Sequence, residues 1–132
     1  MRRPGAVLMV GSMLAATPTT AATNLSRMVR GQAEDVRLAV SSARGLLAQA
    51  AAQAKPSELR QLADEIDCGL GQLEVYNVVL ACADQEPTPA DVLDQVLQVV
   101  IHALCYPVET TPARHRGHTL AADRVAAWVR RA

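Results

Sequence analysis

The chain has no phenylalanine, and its aromatic side chains are Tyr76, Tyr106 and Trp128 alone. Any core must therefore be built from Leu, Val, Ile, Met and Ala, which pack readily between helices. Modules that stack nucleobases on aromatic rings are disfavoured for the same reason, and no nucleic-acid partner is expected. Lysine is almost missing too: Lys55 is the single one among 13 basic residues. No apolar run approaches the roughly 20 residues that a membrane-spanning helix needs. There is no GxSxG, no glycine-rich phosphate loop ending in Lys-Ser/Thr, no HExxH and no CxxC. Paired ExxH motifs of the kind that hold two metals in helix bundles are missing as well. Without those groups a hydrolase or transferase has nothing to work with, so the chain is not expected to be an enzyme, and no cofactor is expected.

What the 132 residues do contain is one domain's worth of chain, half of it apolar. The formal charge is zero but unevenly laid out. Residues 1–60 carry eight basic and three acidic side chains, a net +5. Residues 61–109 carry nine acidic and no Lys or Arg, and residues 110–132 are net +4. An acidic middle lying against basic flanks within one bundle accounts for this arrangement, with a basic docking surface as the sharper alternative.

The N-terminus has the three-part layout of a secretory signal. Met1-Arg2-Arg3 is basic, residues 6–16 are apolar, and small residues precede a cleavage point after Ala22. Pro4, Gly5, Gly11 and Pro18 count against a stable helix there. Residues 1–22 are accordingly expected to be a signal peptide or a disordered segment, with a secreted or periplasmic product; a cytoplasmic location is the alternative. Residues 23–132 would then form the domain.

Periodicity predicts about four helices in a small antiparallel all-α bundle. The first covers residues 25–54, with Met28, Val29, Ala33, Val36, Val40, Ala43 and Leu47 on its apolar side. Arg30, Arg37 and Arg44, seven residues apart, lie on its wet side. The pair Lys55-Pro56 breaks it, and Ser57 is a candidate N-cap for a second helix whose stripe is Leu59, Leu62, Ile66, Leu70, Leu73, Tyr76 and Leu80. Thr88-Pro89 starts a third, which is apolar nearly all round around Val99-Val100-Ile101 and so reads as the central element. It ends near Tyr106. Residues 108–117 read as a loop with a basic tip at Arg114, His115 and Arg116, and the HxxH of His115 and His118 reads as part of that flexible basic loop, with a metal pair as the alternative. A last helix from about Thr119 buries Ala122, Val125, Trp128 and Val129. Its basic residues Arg130 and Arg131 do not line one face, which argues against a DNA-reading helix.

Levelling antiparallel neighbours brings Gly45, Cys68, Gly69, Gly71, His102 and Cys105 to one height, with His102 near Gly69 and Cys105 near residues 66–68. Three readings follow. The glycines permit close helix approach and the cysteines are core residues. Cys68 and Cys105 form a disulfide in an exported protein, leaving Cys82 odd. Or Cys68, His102 and Cys105 hold zinc or copper, without an evident fourth ligand. The function expected from all this is non-enzymatic: contact with a protein partner or self-association as a homo-oligomer. The buried faces of the first two helices and the Trp128 helix would carry assembly, and Arg30, Arg37, Arg44 and Trp128 are the surface candidates. A small-ligand or metal carrier built on Cys68, His102 and Cys105 is the alternative.

Overall fold

The computed structural model describes the backbone of residues 5–105 and 109–131, and side chains from residue 20 onward within those ranges. The described residues form four helices and no strand: α1 (Gly5–Ala50), α2 (Pro56–Ala83), α3 (Val92–Cys105) and α4 (Pro112–Arg131). They make the small all-α bundle that the periodicity predicts. Among the described residues no helix is long and apolar enough to cross a membrane.

The apolar stripe of α1 steps by three or four residues through Leu25, Val29, Ala33, Val36, Val40 and Ala43, all buried. The helix starts earlier than the residue 25 that periodicity predicts. The backbone runs as one helix from Gly5, through Gly11 and Pro18, into the bundle. A single proline removes one amide donor, and the alanines on both sides of it (Ala15, Ala16, Ala21, Ala22) have the highest helix propensity. Residues 1–4 lie outside the described residues. Among the residues whose side chains are described, the core cluster runs from Leu25 to Val129.

Helix α2 opens with Pro56 in its first turn after an extended Lys55, not with Ser57 as its cap. Its most buried line is Gly69, Gln72, Val75, Tyr76, Val79 and Ala83. The leucine stripe read from sequence flanks that line and is only half-buried. Small residues occupy the seam because backbones come closest there, and the long side chains fill the margins.

Two start signals behave in opposite ways. Thr88-Pro89 forms a turn and the helix begins at Val92, where the amide bonds back to the Pro89 carbonyl. Thr111-Pro112, inside the stretch expected to be a loop, does start a helix: the Thr111 hydroxyl accepts the Arg114 amide at 3.1 Å. So His115 and His118 sit on α4. The expected end of α3 at Tyr106 falls outside the described residues.

Hydrogen bonds fix the directions. Ser26 donates to Asp84 at 2.7 Å, and Arg30 pairs with the other oxygen of the same carboxylate, so α1 and α2 are antiparallel. Asp67 meets Arg114, Glu74 meets His118, and Tyr76 stacks on Trp128, so α2 and α4 run parallel. In a square up-down bundle those two would face each other across a diagonal. Here they are in close contact, while α1 has little to do with α3 or α4. Glycine is the reason. A Cβ on Gly71 would overlap the backbone carbonyl of Arg114, and one on Gly117 would overlap the carbonyl of Cys68. Gly69 does the same for α1, where a Cβ would meet a Val40 methyl, whereas Gly45 faces open space.

The centre of the fold is therefore α2. Helix α3, expected there, lies outside: it buries Val92, Val96 and Val100 and leaves Ile101 and Leu104 46% and 38% exposed. Gly117→Ala should lower stability by about 1–3 kcal/mol through overpacking, despite the better helix propensity of alanine. Gly45→Ala should raise it by about 0.5–1 kcal/mol, because nothing opposes the added methyl. Urea unfolding of both variants checks this, and an equal gain at the two positions would mean that α2 and α4 do not approach so closely.

Candidate binding groove

The α2–α4 seam carries a row of polar contacts beside its glycines. Asp67 accepts from the Thr111 hydroxyl at 3.1 Å and from Arg114 Nη2 at 3.1 Å. Arg114 also reaches Glu74 at 3.6 Å, and His118 Nε2 lies 2.8 Å from the same Glu74 oxygen. Further along, Gln72 Oε1 accepts from Arg124 at 3.0 Å and from the Tyr76 hydroxyl at 3.4 Å. Burial pushes the Tyr76 phenol above its ordinary value of 10.0, with Arg124 pulling partly the other way. Two buried nitrogens in this region, Arg114 Nε and His115 Nδ1, have no hydrogen-bond partner.

With α4 drawn in against α2, α3 is held off at the side, and a groove of about 660 Å³ opens between the three helices. Its floor is Val75 and Val78 from α2 with Val99 and Ala103 from α3. The rim is polar: Glu74, Arg114 and His118 on one side, His102 and Gln98 on the other, and Glu109 at the mouth. Val78 is 49% exposed although it faces a neighbouring helix. Ile101 and Leu104 are exposed on another side of α3 and do not line the groove.

Chemically the lining is an apolar surface with charged edges. Arg114 is already turned toward two carboxylates, and Glu74 is already held by Arg114 and His118. Among the described residues no group of three or more His, Cys, Asp or Glu side chains is placed to hold a metal ion. The Arg114 guanidinium beside the Glu74–His118 pair would repel a cation there.

The residues singled out from sequence are dispersed. His102 lines the groove with Glu74 and Val78, about two turns along α2 from the expected level at Gly69. The 84–91 connection causes the offset, because the turn at Thr88-Pro89 delays the start of α3. Cys68 is half-buried about two turns nearer the start of α2 than Val75, in hollows shared with Val36, Val40 and Arg116. Cys105 is exposed at the end of α3, and all three cysteines are free thiols, so the expected Cys68–Cys105 disulfide is not formed. Nor do Cys68, His102 and Cys105 come together as ligands. Of the glycines placed at that level, Gly69 and Gly71 do sit at close approaches; Gly45 does not.

Arg30 is tied to Asp84 and Ser26, which makes it an anchor between α1 and α2. Arg37 pairs with Glu34 on its own helix at 3.4 Å. Arg44 is exposed. Trp128 is half-buried and stacks on Tyr76 with ring centres 6.4 Å apart, beside a shallow hollow formed with Leu25 and Met28. Sequence reasoning missed the groove itself. Its signal was in plain view: an α3 apolar on every side that the bundle does not enclose.

Because the neutral Tyr76 phenol is favoured in the folded state, its contribution is fully present below pH of about 10. It is lost as pH rises from there through the raised folded value. Tyr76→Phe should remove that loss, so the wild type should lose more stability than the variant between pH of about 9 and about 11. Urea midpoints at the two pH values read this directly, and parallel losses in both proteins would refute the assignment.

No family model, curated protein or solved structure matches this chain.

Proposed function

We propose that this chain is a non-enzymatic binding protein whose working surface is the α2–α3–α4 groove, and that it takes an apolar segment of another polypeptide. The observation that carries the reading is the half-exposed Val78 on the floor of an open groove of about 660 Å³. A bundle that existed only to be stable would bury Val78, since it leaves apolar area in water at roughly 25 cal/mol per Å². The rim residues supply orientation and specificity more than affinity.

The groove's volume also lies within the range of about 300–1,000 Å³ typical of small-molecule sites, which favours a small-ligand carrier as the second reading. In that case the floor would be the same, and Cys68 and Cys105 would have no part in it.

The two readings separate in one experiment. A photoreactive phenylalanine analogue in place of Val78, irradiated in the native host, should give one discrete crosslinked protein. Ala103→Glu in the same chain should abolish the adduct by putting a charge on the floor. Absence of any protein adduct, together with a native mass carrying an extra few hundred daltons, would contradict the protein-partner reading in favour of the carrier.

A further inference from the structure

We propose that the segment received by the groove is residues 1–19 of a second copy of this chain, so that self-association proceeds by exchange of N-terminal arms. This rests on the reading of the groove as a seat for a polypeptide segment, and it names the occupant.

Charge selects the kind of occupant. Residues 61–109, which form nearly all of α2 and all of α3, contain nine carboxylates and no Lys or Arg; Glu74 and Glu109 of these line the groove, beside Arg114 and His118. Arg114 compensates Asp67 and Glu74, and Arg30 compensates Asp84. Asp94 on α3 and Glu109 at the mouth take part in no ion pair among the described residues. Two such faces laid against each other would repel, so the same groove on a second molecule is not the occupant. A segment that is apolar and led by positive charge fits instead.

The chain holds one stretch of that composition. Met1-Arg2-Arg3 places two guanidiniums and no carboxylate ahead of the apolar run AVLMVGSMLAA at residues 6–16. Its other arginines lie on α1, at Arg60 on α2 and along α4, and Arg130-Arg131 follow an apolar run without leading one.

Placement explains why the arm serves another molecule. Helix α1 is 46 residues long and α2 is 28. Ser26 bonds Asp84, one residue past the last of α2, and Arg131 at the end of α4 lies beside Asn24 and Met28. The described ends of α2 and α4 are thus level with residues 24–28. From there α1 continues N-terminally to Gly5 as an unbroken helix, about 30 Å at 1.5 Å per residue. A helix heading away from its own bundle does not return to its own groove. Reciprocal insertion of two arms into two grooves closes a two-fold pair in which each interface is made twice.

The test uses full-length chains. Val7→Glu with Leu14→Glu, one heptad apart on one helical face, spoils the arm. Val78→Arg, at a half-exposed position, spoils the groove. Sedimentation velocity at micromolar concentrations should give a dimer for the wild type and monomers for each variant alone, with circular dichroism unchanged. An equimolar mixture of the two variants should recover a heterodimer, because one intact arm and one intact groove remain. A wild-type monomer, a dimer that survives both sets of substitutions, or a mixture that stays monomeric would overturn the proposal. So would recovery from the native host of a chain beginning near Thr23, which lacks the arm. A monomer that still gives a discrete crosslink to a different protein from position 78 would overturn the arm and leave the groove reading intact.

Discussion

Everything distinctive in this bundle depends on how closely α2 and α4 approach. Helices with ordinary side chains pack with axes about 8–10 Å apart. At Gly71 and Gly117 the facing backbone occupies the space where a side chain would begin. Two parallel helices that a square bundle would keep on a diagonal are thereby brought into direct contact. The apolar driving force for that contact is supplied around the glycines by Val75, Val79, Ala121, Val125 and Val129. The Asp67–Arg114 and Glu74–His118 pairs set its register. These pairs are partly wet, so their value lies in orientation more than in stability.

Pulling a diagonal short has a geometric consequence. The two remaining helices are pushed apart, and α1 and α3 hardly meet. Helix α1 is long and keeps a full interface along α2. Helix α3 has 14 residues and only three fully buried ones, so part of its apolar surface stays outside. The groove is what remains between a helix held off and a pair drawn together. Its position beside an acidic, arginine-poor stretch gives it a charge preference without any further device.

Much of this was legible in the sequence and some was not, for identifiable reasons. The α1 stripe was readable because its valines and alanines keep strict helical spacing. The break at Pro56 was readable because proline is unambiguous. The role of α3 was misjudged: a helix apolar on all sides is either central or incompletely covered, and periodicity cannot distinguish the two. The start of α4 was missed because Arg114, His115 and Arg116 look like a basic loop, although Thr111-Pro112 carries a cap signal as strong as Thr88-Pro89. The level of His102 differs from expectation by about two turns because the connection between α2 and α3 is longer than the sequence pattern implies. Gly69 and Gly71 were recognised as possible close approaches, but Gly117, which completes the seam, was assigned to the loop and so had no helix to pair with. That error also hid the parallel α2–α4 contact, and with it the groove.

The central physical claim is backbone proximity at the glycine seam, and nuclear Overhauser spectroscopy on isotope-labelled protein measures it most directly. With α2 and α4 as close as Gly71 and Gly117 permit, the α-protons of Gly117 must show strong cross-peaks to the amide proton of Gln72, and those of Gly71 to the α-proton of Arg114. If these cross-peaks are absent while intrahelical ones are strong on both sides, the two helices stand apart on an ordinary diagonal, and the groove loses its cause.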